Sequence, residues 1–311
     1  MTSLTEQNLC VSEPEYDKNF WNAMRGQIVV LDKLTKGRHT STDSYRLPKY
    51  ADDKFTKALE QESLFRQIAS GIKAYGSACR IFVVDSNDMA SFVSEYAPIP
   101  IYDGKDDFRK IPVDSWKLAI FVKFEEDLVH DANFSFEKYL LKRLVRNFAR
   151  AETNAFINGT GIDMPTGILC DGKGADVALT TDSLTYDNLI ELYFSVKPEY
   201  RSKGVWLMND ETALALRKLK DDGGNYLWNS ANDTILGKPV MISEFMPNAE
   251  SGMKPVAFGD FSYYWVIDRR AVSMRPIVEG FTINGQIGYL AYELLDGKLI
   301  RTEAVKVFQI K

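Results

Sequence analysis

The sequence predicts an α+β protein whose helical and strand-rich segments are set apart along the chain, and three observations predict it. Ser135 to Gly159 carries the strongest helical period, Arg80 to Phe124 is rich in β-branched and aromatic residues, and the chain turns strand-like again from Ser262 to its end. The 311 residues, 45% of them hydrophobic, are enough to bury a substantial core. A formal charge of −5, from 43 acidic and 38 basic residues, argues against sequence-reading or strong nonspecific nucleic-acid binding, which needs a basic surface. No stretch approaches eighteen uncharged apolar residues, and the N-terminus lacks a basic segment followed by an apolar one. The expectation is therefore a chain made and kept in a cytoplasm, with no membrane partner.

Taken in order, residues 1–60 are polar, interrupted by Gly37 and Pro48, with apolar clusters only at Phe20-Trp21 and at residues 28–31. They read as an arm that must lie on something, ending in a helix over 53–70 marked by Phe55, Leu59, Leu64 and Ile68. RIFVV, ASFVSEYA and FRKIPVDSWKLAIFVKF then form a long hairpin with its tip at residues 98–107. Its arms alternate too weakly to show one face packed on a core, and a two-stranded ribbon is marginal alone, so it must be stabilised by another surface.

The helix Ser135 to Gly159 recurs at three and four through Phe136, Leu140, Leu144, Phe148 and Phe156, with Ser135 as N-cap and Gly159 as C-terminal cap. Lys142, Arg146 and Arg150 fall at i, i+4 and i+8 and form one basic stripe, either a solvated face paired with local acids or a wall facing a polyanion. The glycines of NGTGIDMPTGIL follow this helix instead of preceding one, so they turn the chain and do not cradle a phosphate. Its Asn158-Gly159-Thr160 triplet has no secretory route to make it a glycosylation site. Beyond it, helices near 185–196 and 210–219 alternate with strands at 205–209, KPVMIS and KPVAFGDF, which suggests a compact α/β unit of about a hundred residues.

Three distant cysteines, Cys10, Cys79 and Cys170, and two histidines, His39 and His130, suit neither a disulfide framework nor a metal site. There is no Gly-x-Ser-x-Gly elbow. The run Glu125-Glu126-Asp127 near His130 is the one candidate for acid/base chemistry, but neighbours on a strand point to opposite faces, so a solvated acidic turn is the expectation.

The order of these parts resembles the major capsid proteins of tailed bacteriophages, with their Hong Kong 97-type fold, from about Tyr45 to the end. The residues that carry the resemblance are Ala90 to Glu95, Lys117-Leu118-Ala119, the acidic run from Phe124 to Asp131, Ala151-Glu152 through Gly159, Pro165 to Leu169, Gly237 to Val240 and Phe258 to Phe261. The resemblance implies an N-terminal arm over 1–57, a peripheral domain beginning at 58–76, an extended loop (E-loop) over 77–116, and the peripheral domain with its spine helix over 117–165. An axial domain over 166–262, peripheral strands over 263–300 and a terminal strand over 301–311 that returns to the axial domain complete it. It implies a structural subunit, not an enzyme, that assembles into hexamers and pentamers of an icosahedral head around double-stranded DNA, without cofactor or metal. Phe20 and Trp21 would then contact a neighbouring subunit from the arm, Ile99, Ile101 and Tyr102 from the ribbon tip, and Lys142, Arg146 and Arg150 would face the packaged DNA without reading its sequence. The expected partners are further copies of the chain, a separate scaffolding protein, a portal protein and a decoration protein. Some family members crosslink a lysine to an asparagine with a glutamate as base; Lys105, Asn284 and Glu293 match that pattern only loosely, and crosslinking is not expected. An encapsulin-like compartment is the alternative; it predicts a short N-terminal helix, whereas the first 60 residues favour a phage arm.

Overall fold

The computed structural model describes residues 10–26, 44–74, 79–84, 92, 108–220, 226, 228 and 234–311. The chain opens with helix α1 (Pro14–Met24), which has proline in its first turn, where no N–H is needed, and Glu15 and Asp17 beside its positive end. Its buried face is Tyr16, Phe20, Trp21, Ala23 and Met24. Strand β1 (Tyr45–Arg46) leads into α2 (Lys49–Glu62) and α3 (Leu64–Ile68). The single helix expected over 53–70 is thus broken at Ser63, whose backbone is extended. The break re-aims the chain, so that Phe65 packs on Phe156, Phe261 and Tyr264 while Phe55 stays on Phe148.

Strand β2 (Ser70–Lys73) precedes the ribbon of β3 (Cys79–Val84) and β4 (Phe108–Val113). The long return strand expected from Phe108 divides at Asp114, because the next ten residues, β5 (Trp116–Glu125), join a different sheet. After the short α4 (Glu126–His130) comes the spine, α5 (Phe136–Asn158), roughly 34 Å long at about 1.5 Å per residue. The second half runs through β6 (Asp176–Thr181), α6 (Tyr186–Ser195), α7 (Pro198–Arg201), β7 (Val205–Met208), α8 (Asp210–Arg217), β8 (Thr234–Ile235), β9 (Lys238–Ile242) and β10 (Val256–Gly259). Thr185 and Asn209 cap α6 and α8 by accepting from Asn188 N and Thr212 N. Two 14-residue strands, β11 (Tyr264–Ile277) and β12 (Gln286–Leu299), and β13 (Val305–Ile310) end the chain.

Apart from the two-stranded β3–β4 ribbon, these strands make two sheets. The first runs β1-β11-β12-β5, with β2 parallel to β11; the second runs β6-β13-β10-β7-β9-β8. The last strand therefore crosses from the long hairpin of the first sheet into the middle of the second, which ties the two together. Helices α1, α2 and the first half of α5 cover the first sheet around Phe124, Phe136, Phe148 and Tyr289. The second half of α5 ends in a cluster shared by both sheets, around Phe65, Phe156, Tyr264 and Val307. Helices α6 and α8 bury Leu189, Leu192 and Leu216 with Trp206 and Phe258 on the second sheet.

Gly159 caps the C-terminus of α5 as expected, its N–H donating to Ala155 O, and the loop after it then closes the helix end. Ser135 makes no capping hydrogen bond, and Gly159 leaves the helix in extended conformation (φ −63°, ψ 141°). The chain then folds back so that Ile168 N donates to Phe156 O and Leu169 N to Ile157 O, satisfying carbonyls that a helix end leaves open. That return needs backbone against backbone: a Cβ on Gly167 would stand 2.4 Å from Ile157 O and 2.5 Å from Gly159 N. Gly167→Ala is accordingly expected to destabilise the chain by about 2 kcal/mol or more, an overpacking cost that no side-chain rotation relieves. Urea unfolding measures it, and a change under about 0.5 kcal/mol would contradict this packing.

Candidate functional site

Three features of the surface and interior have the geometry of function: one face of the ribbon, one side of α5, and a buried charge cluster. In the ribbon, register pairs Val84 with Phe108, Phe82 with Lys110 and Arg80 with Pro112, while Ile81 pairs with Ile111 and Val83 with Arg109. Residues directly opposite each other share a face, so these pairs sort into two faces. The inner face, with buried Val83 and half-buried Ile81 and Ile111, rests on the chain's own body. Arg109 donates to Ile300 O, Arg301 Nη2 to Val84 O at 2.9 Å, and Lys298 Nζ to Pro112 O at 2.8 Å. The outer face carries Phe82, Val84 and Phe108, each more than half exposed, with Lys110 near the Phe82 ring. Weak alternation concealed this division, because both faces are apolar and only the body beneath tells them apart. Of the expected tip contacts, Ile99, Ile101 and Tyr102 lie outside the described residues.

Phe20 and Trp21 require a correction. Both are buried against the chain's own first sheet, Phe20 fully, and so offer no surface to a neighbour. Helix α1 is fastened there by Tyr16 OH donating to Arg46 O, Tyr289 OH to Met24 O, and an Arg25–Glu137 ion pair at 2.7 Å. The expectation failed because a polar segment with few apolar residues was read as lacking a core, when its five apolar residues fall on one helical face.

Lys142, Arg146 and Arg150 are all exposed on one side of α5. Arg150 pairs with Glu244 at 3.1 Å and lies 5.9 Å from the Phe245 ring centre. Lys142 and Arg146 line a cleft of about 650 Å³ between α1, α2 and α5, shared with Asp17, Glu62 and Lys54. The stripe is thus real as geometry, but its surroundings carry both signs of charge. Glu125, Glu126 and Asp127 are exposed, and His130 stands 3.9 Å from Glu126, with both side chains about half exposed at the surface. Among the described residues no group of three or more His, Cys, Asp or Glu side chains could hold a metal ion. No helix among them is long and apolar enough to cross a membrane.

Inside, Arg66 donates through Nε and Nη2 to both oxygens of Glu152 at 2.8 and 2.6 Å, and through Nη2 and Nη1 to Asp268 at 2.9 and 3.3 Å. Glu293 is buried and lines the same small cavity as Arg66 and Asp268, with Oε1 lacking a partner. Burial first, and the nearby Glu152 charge second, push its carboxyl well above the usual range. Sequence reasoning missed this cluster, whose members come from α3, α5, β11 and β12. The available signal was Glu152 itself, placed at i+4 from Phe148 and i−4 from Phe156 on the apolar face of the spine. Glu293 is buried on β12, whereas Asn284 lies in the turn that precedes that strand.

This architecture is a known one. The phage capsid family model matches residues 43–310, nearly the whole chain. Among solved structures, the capsid of a native GTA particle computed with C5 symmetry is 25% identical, covering 89% of this chain and 95% of that one, with a TM-score of 0.64. Chains from Microbacterium phage Oxtober96 (13% identical, 92% and 99% covered, TM-score 0.60) and Gordonia phage Cozz (16%, 80% and 87%, 0.56) share the fold. None of the curated proteins matches by sequence. The protein belongs to the phage capsid family and is a capsid shell protein.

Proposed function

We propose that this chain is the major capsid subunit of a tailed phage, built on the Hong Kong 97-type plan, and that copies of it close into pentamers and hexamers of an icosahedral head around double-stranded DNA. The observation that carries this is the outer face of the ribbon: Phe82, Val84 and Phe108 stand exposed on a two-stranded element, where a neighbouring copy can cover them. The second sheet with α6 and α8 takes the part of the axial domain, the first sheet with α5 that of the peripheral domain, and residues 77–116 that of the E-loop. The solved GTA capsid with its C5 symmetry supports a five-fold arrangement. A portal, a separate scaffolding protein and a decoration protein complete the expected partners.

Helix α1 favours a second reading, an encapsulin-like compartment, since it is a short N-terminal helix fixed to its own subunit. The phage structures that share the fold support the first. Light scattering and electron microscopy of the expressed chain test the proposal. Closed shells or rings of five and six support it; a monodisperse monomer, alone and with its genomic neighbours, overturns it, and DNA or protein contents decide between head and compartment.

For the basic stripe the expectation is modest, because Arg150 is already paired. Replacing Lys142, Arg146 and Arg150 together by Gln is expected to leave assembly intact and to lower genome retention at raised salt, as loss of up to three phosphate contacts does. Unchanged retention across a salt series would remove DNA from their role.

A further inference from the structure

The ribbon pairs with no third strand among the described residues, so contacts other than strand pairing must aim it. Polar contacts reach it from residues 296–303, where the chain crosses from β12 to β13 and so from the first sheet to the second. At the root, the buried Asp296 carboxylate accepts from Asp114 N at 2.8 Å. Lys298 Nζ donates to Pro112 O at 2.8 Å and pairs with Asp114 at 2.6 Å and Asp296 at 3.3 Å. This bracket holds the turn at which β4 gives way to β5. Further out along the ribbon, Arg301 donates through Nη2 to Val84 O at 2.9 Å and through Nη1 to Tyr200 OH at 3.1 Å. Tyr200 is buried in the cluster of the second sheet and donates in turn to Glu303, which pairs with Lys197 at 2.6 Å.

We propose that Lys298 and Arg301 are positioning residues for assembly: they hold the ribbon at two points and so set the direction in which it meets a neighbouring copy. One point alone would fix only where the ribbon starts. Val84 is paired with Phe108, so the two points lie four positions apart along β4, which is about 13 Å of strand. The root point belongs to the first sheet through Asp296 on β12, and the outer point to the second through Tyr200 on α7. The ribbon's direction is therefore tied to how the two sheets stand to each other, and a shift of one against the other re-aims Phe82 and Phe108. Both cations are needed, because a two-stranded element buries too little surface of its own to keep a direction. The role in assembly rests on the proposed function; the clamp itself does not.

Hydrogen exchange on the soluble chain reads the clamp without any particle. In the double variant Lys298→Met with Arg301→Met, the amides of β3 and β4 are expected to exchange about tenfold faster or more, since hydrogen bonds from charged donors are lost, while those of α5 change by less than about twofold. If the double variant does not fold, Arg301→Met alone carries the same expectation for the outer end of the ribbon, at Val84 and Phe108. Ribbon exchange that stays at the natural rate in a folded variant overturns the clamp. Particle yield reads the consequence, and is expected to fall by about tenfold or more with the urea midpoint of the soluble chain nearly unchanged, because the contact repeats at every subunit. Normal particles from a variant whose ribbon exchanges faster overturn the positioning role. A natural chain that never assembles would overturn the proposed function and with it the assembly role, while the exchange result still decides the clamp.

Discussion

Arg66→Met is expected to lower the unfolding free energy by about 3–5 kcal/mol, the cost of leaving a buried carboxylate without its partner. Both partners are well inside: the Arg66 side chain is 8% exposed and that of Glu152 not at all. Removing the guanidinium strips both Glu152 oxygens of their donors at once and leaves Asp268 and Glu293 facing an unpaired charge. Arg66→Lys is the informative companion, because a lysine keeps the charge but cannot reach both oxygens of Glu152 in parallel, and an intermediate loss is expected. Urea unfolding of the three chains measures the series. A loss below about 1 kcal/mol for the methionine variant would mean that the cluster is not what holds α3, α5 and β11 together.

The second large effect concerns assembly and not folding. Phe82→Asp with Phe108→Asp changes two side chains that the chain itself leaves more than half exposed. Its own stability is therefore expected to move by less than about 0.5 kcal/mol. If a neighbouring copy covers this face, each buried aromatic replaced by a charge costs about 2 kcal/mol or more per contact, which is over tenfold in affinity and repeats at every subunit. Particle yield is expected to collapse while the circular-dichroism spectrum and melting curve of the soluble chain stay unchanged. Normal particles from this variant would show that the outer face of the ribbon is not the contact.

What could be read in advance followed the strength of periodic signals. The helices expected near 185–196 and 210–219 lie at α6 and α8, though the caps supplied by Thr185 and Asn209 appear only in the structure; the spine helix was legible because ten of its residues sustain one buried stripe over six turns. The break at Ser63 was not, since the residues on both sides keep a helical spacing and only the separate burial of Phe65 demands the kink. Nor was the turn at Asp114 legible: β4 and β5 read as one continuous β-branched run, and their division depends on pairing with β3 and β12, which lie far away in sequence. Gly159 and Gly167 were correctly placed in a turn, but their close backbone packing depends on the loop folding back over Phe156 and Ile157. The charge cluster was invisible for the same reason, four residues from four elements with only Glu152 out of pattern.

The central claim is that the outer face of the ribbon is covered by another copy of this chain in a closed shell. Cryo-electron microscopy of particles from the expressed chain tests it most directly. The account predicts side-chain density of a neighbouring subunit packed over Phe82, Val84 and Phe108, with α1 still seated on its own first sheet. Shells in which these three residues face solvent would contradict it.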